Sequence, residues 1–508
     1  MATAVRETER KYAAPPGTPM PDLRGLPDVA SQTDSGQVEL AATYHDTAGF
    51  DLLRAGITLR RRTGGSDAGW HLKIPVGPDS RTELRLPLGD ERPPDEFTRL
   101  LTARLLGRPL RPVATITTTR HVTTLADKQG EPLAEVAFDR VIAESSGRTA
   151  SLTRWDEVEV ELADRAEDRT HLLKAADRSL RHAGLSRARR RTKLEEALAQ
   201  SLPEPPPEVE LTSKSSGREV LAAYLRAQFE ELRTQDLRVR RDEPDSVHQM
   251  RVAARRMRGA LQEYGRLLRP GKADRVISEL RWLGRELGGP RDVEVLCELL
   301  LSQLDEVPGE SVLGLVQARI AGHYSSVQAS GTTDLRAALD SVRYVELLTT
   351  LESFVELPPT SAQASRRATD VMPALLNRSR RRVNRRMRRA LAAPPGTKRD
   401  NALHEARKSA KRARYAAEVV SPVSGKKARK TAKSFKRLQS ALGDHHDAVV
   451  AAGELRQLAL RAYADGENAF TYGLLFERQA GRAAEFEKRG RHAWQQSRRS
   501  KRTAWMRG

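Results

Sequence analysis

The spacing of apolar and polar residues changes character once along the chain. Over roughly the first two hundred residues it runs in short stretches that alternate at every second position. GITLRRR, WHLKI, TELRLPL, ATITTTRHVTTL, LAEVAF and DEVEVEL are examples, with turn signals between them. A two-residue period puts successive side chains on opposite faces and predicts strands. Helical spacing interrupts it around 95–106 and 167–182. Beyond residue 217 the alternation stops, and Ala/Leu/Arg/Glu-rich stretches with apolar positions three and four apart replace it. These predict helices over 217–240, 245–268, 272–287, 291–304, 310–328, 333–353, 365–391, 400–420, 427–442, 446–463 and 467–490. SLPEPPPEVELTSKSSG at 201–217 divides the two textures; its prolines stiffen the connection and its Ser/Gly end loosens it. The expected organisation is an α+β multidomain chain: a β-rich domain over 1–200, a Pro-rich linker over 201–217, an all-helical domain over 218–490 and a basic tail over 491–508.

Composition narrows the partners. The single cysteine, Cys297, excludes a disulfide framework and a Cys-based zinc site, and suits a reducing cytosol. No run approaches the ~18 apolar residues of a membrane helix, and MATAVRETERKY lacks the apolar core of a signal peptide. The expectation is a cytoplasmic protein without a membrane partner. A net charge of +21 calls for a polyanion: nucleic acid, anionic lipid or a phosphate polymer. That charge is unevenly placed. Residues 1–200 carry 31 Lys and Arg against 30 Asp and Glu, a net of +1, whereas 201–508 carry 57 against 37, a net of +20.

Strand geometry groups the charges of the first domain. Glu7, Glu9 and Lys11 share a face, as do Arg60 with Arg62 and His71 with Lys73. Glu157, Glu159 and Glu161 share another, opposite Val158, Val160 and Leu162, which can serve an apolar layer. Alternation alone fits a solvated face laced with salt bridges. It also fits a charged interior in which carboxylates hold Mg²⁺ or Mn²⁺ and Arg/Lys hold phosphate oxygens. The order of the pieces bears on this choice. ExExK at Glu7, Glu9 and Lys11 is followed by YHDT at 44–47, ITLRRR at 57–62, WHLK at 70–73, RTELRLP at 81–87 and Arg120. AEVAFDRV at 134–141, WDEVEVEL at 155–162 and TKLEEAL at 192–198 complete the series. The region resembles the CYTH family of triphosphate tunnel enzymes.

That resemblance implies an eight-stranded antiparallel tunnel binding a triphosphate-bearing substrate with a divalent metal, Mg²⁺ or Mn²⁺. Carried over by motif, Glu7, Glu9, Glu159 and Glu161 are the metal-side carboxylates, with Glu157 on the same face. Lys11, Arg60, Arg62, Lys73, Arg120 and Lys193 bind phosphates, with Lys73 also counted among the catalytic groups. Glu135 and Asp139 are weaker candidates for positioning water, and His71 is either a proton donor or a structural strand histidine. The implied reaction is metal-assisted attack of water on a terminal phosphorus. The family also spans thiamine triphosphatases and adenylyl cyclases; inorganic triphosphate is the expected substrate because it demands only phosphate and metal sites.

The second half contains a duplication. VHQMRVAARRMRGALQEY at 247–264 aligns without gaps with LHEARKSAKRARYAAEVV at 403–420, and LGGPRD at 287–292 with LGDHHD at 442–447. At ~100° per residue, 248, 251, 255 and 258 form one basic stripe beside the apolar stripe Val247, Met250, Ala254, Met257 and Leu261. The second copy repeats it, with Leu403, Ala406, Ala410, Ala413 and Ala417 apolar. A stripe of one sign, twice, favours a polyanion groove over a solvated face, which normally mixes signs. This half resembles the CHAD family, a conserved histidine α-helical domain. The resemblance implies two pseudo-symmetric helical bundles that bind inorganic polyphosphate through His248, Arg251, Arg255, Arg258, His404, Arg407, Lys411 and Arg414. Arg256 and Arg412 lie at the stripe's edge, and Asp292 and Asp447 are expected to cap or pair with the basic helices. His445 and His446 depart from the first copy's Pro290 and Arg291.

The combined expectation is a metal-dependent triphosphatase fused to a polyphosphate-binding domain, associated with polyphosphate granules. The alternatives are a polyphosphate-targeting protein whose tunnel is a sensor or weakly active, and a nucleic-acid binder. Low aromatic content (5%) and the lack of a helix-turn-helix, zinc or RNP pattern weigh against the last, leaving nucleic acid as a nonspecific partner.

Overall fold

The computed structural model describes the chain except residues 1, 147–149, 164–168, 190–191, 203–209, 500–502 and 507–508, and gives only the backbone at 146, 150, 289–292 and 326–332. It divides into two compact units, Met1–Pro206 and Pro207–Gly508.

The first unit is built on β1 (Thr3–Ala14), β2 (Ser31–Asp46), β3 (Thr58–Thr63), β4 (Gly69–Pro75), β5 (Ser80–Pro87), β6 (Arg111–Ala126), β7 (Pro132–Ser146), β8 (Ala150–Leu162) and the two-residue β9 (Ser186–Arg187). Helices α1 (Asp51–Arg54), α2 (Asp95–Leu100), α3 (Thr102–Leu105), α4 (Thr170–His182) and α5 (Lys193–Ala197) connect or cover them. Eight strands run antiparallel in the order β5-β4-β3-β2-β6-β7-β8-β1, and β1 pairs back onto β5 to close the sheet. Closure removes every long exposed edge. β1 serves both neighbours by dividing its length: residues 3–8 pair with β5 and residues 9–14 with β8.

The alternation is inverted relative to an ordinary barrel, with apolar side chains outside and charges inside. Val158, Val160 and Leu162 pack outward with Tyr12, Val136 and Phe138 against Leu172, Leu173 and Ala176 of the amphipathic α4. A second apolar cluster joins Ala42, Val113, Ile116 and Val141 to Leu194, Ala197 and Leu198 of α5. α5 begins with a capping box between Thr192 and Glu195, which fixes where Lys193 enters.

The second unit is all-helical: α6 (Gly217–Arg240), α7 (Ser246–Glu263), α8 (Asp274–Glu286), α9 (Gly289–Leu304), α10 (Val316–Leu339), α11 (Val342–Glu356), α12 (Ala368–Ala392), α13 (Thr397–Val419), α14 (Ser421–Ala464) and α15 (Phe470–Ser497). Met250, Ala254, Met257 and Leu261 of α7 and Leu403, Ala406, Ala410, Ala413 and Ala417 of α13 are all buried. The duplicated helices meet each other: a Cβ on Gly259 would lie 3.1 Å from the Tyr415 ring, and Tyr264 donates to the Ala416 carbonyl at 2.6 Å.

Two expectations change. The helices expected at 427–442 and 446–463 are one, α14, kinked at Gly425 (φ +57°) and continuous through LGDHHD. The first copy breaks into α8 and α9 because Pro290 stands in the first turn of α9, where His445 stands in the second copy. Proline lacks the N–H that an uninterrupted helix would use and its ring crowds the preceding turn. The tail expected from residue 491 starts inside α15. Trp494 is buried there, and beyond it Trp505 donates to Thr431 at 3.2 Å.

Candidate functional site

The strand registers bring the inward charges of the first unit together. Glu9 faces Glu161 and Lys11 faces Glu159 across β1 and β8, Lys73 faces Glu83 across β4 and β5, and Arg120 faces Asp139 across β6 and β7. They enclose a cavity of about 420 Å³ lined by Glu7, Glu9, Glu159 and Glu161 and by Lys11, Arg60, Arg62, Lys73, Arg120 and Lys193. The wall is organised as two ionic clusters.

The first is centred on Glu83, a buried carboxylate that the sequence reading left out. It accepts from Lys73 at 3.4 Å, Arg60 at 3.5 Å and His71 Nδ1 at 2.9 Å, and pairs with Arg85. Burial works against its ionisation, but Lys73, His71 and Arg60 hold its pKa far below the usual range. Lys73 reaches on to Glu7 at 2.6 Å. The signal for Glu83 was available: Arg81, Glu83 and Arg85 alternate in RTELRLP, and all three line the cavity. His71 is sealed between Glu83 and the Asp67 carbonyl and does not line the cavity, which makes it a structural strut; burial pulls its pKa down to about 4 against the pull of Glu83.

The second cluster is centred on Lys193, whose Nζ lies 2.8 Å from Asp139, 2.7 Å from Glu157 and 2.6 Å from Glu159. Arg120 grips Asp139 with two donors at 2.8 and 2.7 Å, and both Arg120 and Lys11 reach Glu159. Glu157 and Asp139 stand behind Lys193 rather than on the cavity surface, and Glu157 also accepts from Trp155 at 2.7 Å. Glu135 is exposed and lines the cavity at β7.

Against this neutralised background two features stand out. The Nε–H groups of Arg60 and Arg62 are buried with no hydrogen-bond partner among the described residues. Burial and the neighbouring Arg60 pull the Arg62 pKa down to about 9, although Arg62 also touches Asp67. Glu161 is the opposite case. It has no ion pair among the described residues, and burial with nearby Glu7 and Glu9 pushes its pKa up to about 8. Burial raises the Glu7 pKa as well, against the pull of Lys73. Glu161 stands beside Glu7, which pairs with Lys73 and Arg85, and Glu9, which pairs with Lys11 and Arg81 and whose pKa Lys11, Lys73 and Arg81 lower against burial; the three carboxyl groups offer oxygen ligands of the kind a hard divalent cation takes. Asp139, Glu157 and Glu159 also lie within 4.8 Å of one another and could hold a metal, but the Lys193 ammonium already occupies their centre.

In the second unit the eight basic-stripe residues line one cavity of about 1190 Å³: His248, Arg251, Arg255 and Arg258 from α7, and His404, Arg407, Lys411 and Arg414 from α13. Arg256 and Arg412 line it too. Arg255 donates to the Tyr415 hydroxyl at 3.0 Å, and Arg414 to Glu418 at 2.7 Å. The glycines of the LG elements make room for arginines. A Cβ on Gly288 would lie 3.4 Å from the Arg251 guanidinium, and one on Gly443 would lie 3.3 Å from that of Arg407. Asp447 pairs with Arg407 at 3.8 Å; the Asp292 side chain lies outside the described residues. Arg281 and Lys436 also line the cavity and were missed, although they occupy equivalent positions of the two copies at the offset that relates LGGPRD to LGDHHD. His446 stacks on His404 with ring centroids 4.0 Å apart, whereas His445 turns away to Asp400. Burial, then Arg407, Arg255 and Arg251, pull the Lys411 pKa down to about 7, and burial with His404 pulls that of His446 to about 4.

A closed tunnel with cations and carboxylates turned inward, in one chain with a twice-built basic cavity, defines a two-domain protein. The chain belongs to the proteins that join a CYTH domain, matched over residues 5–195, to a CHAD domain, matched over residues 223–456. Two uncharacterized proteins of Mycobacterium tuberculosis, from strains CDC 1551 / Oshkosh and ATCC 25618 / H37Rv, are each 35% identical over 490 residues, covering 93% of both chains. Among solved structures, PptA from Streptomyces chartreusis is 22% identical with a TM-score of 0.47, over 55% of this chain and 100% of its own. The CHAD domain from the plant Ricinus communis is 24% identical with a TM-score of 0.45, over 58% of this chain and 97% of its own. Members of the CYTH family are metal-dependent phosphohydrolases or cyclases acting on triphosphates. No helix among the described residues is long and apolar enough to cross a membrane.

Proposed function

We propose that the tunnel domain hydrolyses inorganic triphosphate with a divalent cation, Mg²⁺ or Mn²⁺, and that the helical domain binds polyphosphate and holds the protein at polyphosphate granules. The observation that carries the enzymatic reading is a cavity lined both by Arg60 and Arg62, whose Nε–H groups have no partner among the described residues, and by Glu161, which has no ion pair among them. Glu7, Glu9 and Glu161 would hold the cation, which when bound neutralises phosphate charge and polarises the phosphoryl oxygen. Arg60, Arg62 and Lys73 bind non-bridging oxygens on one side, and Lys11, Arg120 and Lys193 on the other. Glu83 keeps Lys73 and Arg60 aimed inward. Water oxygen adds to the terminal phosphorus, the bridging P–O bond breaks, and orthophosphate and pyrophosphate leave. The fixed cations stabilise charge developing on the bridging oxygen without reorganising. Among the described residues that line the cavity Tyr44 is the one aromatic, which fits a substrate held through phosphate.

The test is phosphate release from triphosphate, thiamine triphosphate, ATP and long polyphosphate with each metal. Triphosphate should be cleaved fastest. Arg62→Ala, which removes a cation crowded by its neighbours, should raise KM about tenfold and leave the fold intact. No release with either metal ends the enzymatic reading. For the groove, polyphosphate should outcompete duplex DNA at fixed salt, and Arg251→Ala with Arg407→Ala should abolish that advantage.

A further inference from the structure

A second cavity of about 270 Å³ adjoins the tunnel, and the two share Glu9, Lys11 and Arg81 in their linings. These three side chains form an ionic partition: Lys11 lies 3.5 Å and Arg81 3.7 Å from the same Glu9 oxygen. On the far side the walls are Arg10, Arg187 and Arg189, with Asp79 as the only carboxylate beyond the partition among the described lining residues. Arg10 is fixed by Asp79 at 3.0 Å and by the Leu173 carbonyl at 3.1 Å. Arg187 is fixed by Asp177 at 3.0 Å and reaches Asp79 at 3.5 Å. Arg189 is exposed and pairs with no carboxylate among the described residues. Among the described lining residues, five cationic side chains thus face two carboxylates in a space that continues from the tunnel.

We propose that this vestibule is a phosphate subsite, which extends the tunnel's ligand from triphosphate to longer linear polyphosphate. The tunnel holds one three-phosphate end of the chain, and the phosphates beyond it pass the Glu9–Lys11–Arg81 partition and meet Arg10, Arg187 and Arg189. Two observations support passage. The long side chains of Lys11 and Arg81 meet Glu9 only through ion pairs longer than a direct hydrogen bond, and Lys11 can keep its bond to Glu159, so the gap beside Glu9 widens by rotamer changes without moving a strand. The partition's members are two cations and one carboxylate, so a passing phosphate exchanges one acceptor for another. Arg10 and Arg187 are pre-oriented by their carboxylate contacts, whereas Arg189 has its full donor set available. This proposal rests on the phosphate-binding reading of the tunnel and requires no catalysis: it is a statement about chain length.

The test is calorimetric binding of triphosphate and of length-defined hexaphosphate to the full chain, with EDTA present. Both arms carry Arg251→Ala and Arg407→Ala, so that the helical groove contributes equally, and one arm adds Arg189→Ala. Hexaphosphate should bind tighter than triphosphate, and Arg189→Ala should weaken hexaphosphate about tenfold while changing triphosphate less than twofold. Equal loss for both ligands, or no loss for hexaphosphate, overturns the subsite. Triphosphate hydrolysis with Mg²⁺, measured on the same protein variants after the EDTA is removed, keeps the two readings apart. Hydrolysis without an Arg189 effect rejects the subsite alone, and an Arg189 effect without hydrolysis rejects the enzyme alone.

Discussion

Glu161 allows a sharp test, because function and stability pull it in opposite directions. Its pKa is raised from 4.5 to about 8, first by burial and then by Glu7, with Glu9 and Glu159 adding to the repulsion. An acid whose folded pKa exceeds its unfolded value loses stability as pH rises between the two. The unfolded chain releases its proton near 4.5, while the native chain keeps it to about 8. At ~1.4 kcal/mol per unit, the ceiling at pH 7 is about 3 kcal/mol. Water in the cavity screens part of that, leaving roughly 1–3 kcal/mol. Glu161→Gln keeps the shape and removes the charge. With a chelator at pH 7 the variant should melt roughly 2–10 °C above the wild type by calorimetry, given the size of this domain. The gap should vanish below pH 4.5 and widen toward pH 8. Added Mg²⁺ should raise the wild-type melting temperature more than the variant's, and the variant should lose most triphosphate hydrolysis. A variant that melts lower without metal, or one that keeps the full Mg²⁺ response, refutes the reasoning.

Three further outcomes follow from other contacts. Lys193→Met leaves Asp139, Glu157 and Glu159 buried around a missing ammonium and should cost about 3–5 kcal/mol in urea unfolding; an unchanged midpoint would mean the cluster is not held by that charge. Lys411 is neutral in much of the empty groove above its pKa of about 7, so polyphosphate binding at pH 8 should take up about one proton, seen as a buffer-dependent binding enthalpy that Lys411→Met removes. His445→Pro should break α14 where α8 and α9 already separate, at a cost of about 3 kcal/mol; a variant as stable as the wild type would disprove the explanation given for that asymmetry.

Much of this was legible in the chain. Two-residue alternation grouped Glu7, Glu9 and Lys11 on one face and Glu157, Glu159 and Glu161 on another, the family resemblance turned those faces inward, and the i, i+3, i+4 spacing placed both basic stripes beside the core. Closure of the sheet was carried by the family resemblance rather than by periodicity, which is the same in an open sheet and a barrel. Alternation also cannot rank residues within a face. Glu157 and Glu161 share one face of β8, yet one is locked behind Lys193 and the other has no ion pair among the described residues, because strand register and the entry point of α5 decide which carboxylate meets the ammonium. Glu83 was passed over although Arg81 and Arg85 flank it in RTELRLP, because its role depends also on Arg60, His71 and Lys73 from β3 and β4, which no local pattern brings to it.

The charge split of +1 and +20 reflects two ways of preparing cations for an anion. In the tunnel, carboxylates are present in numbers, and they raise the pKa values of Arg60, Lys73, Arg120 and Lys193 despite burial. These cations are held in place by their partners, and an incoming phosphate must compete with those partners for donors. A divalent ion shifts that competition by engaging the carboxylates. Arg62 is the exception, with its pKa pulled down and its Nε–H unpaired. In the groove the carboxylates are few, and burial together with like-charge crowding lowers the pKa values of Arg258, Lys411 and Arg412. Those cations are destabilised in the empty state, so an arriving polyanion relieves repulsion and needs no metal to do so. The tunnel's affinity for phosphate should therefore depend on divalent metal, and the groove's on salt and pH.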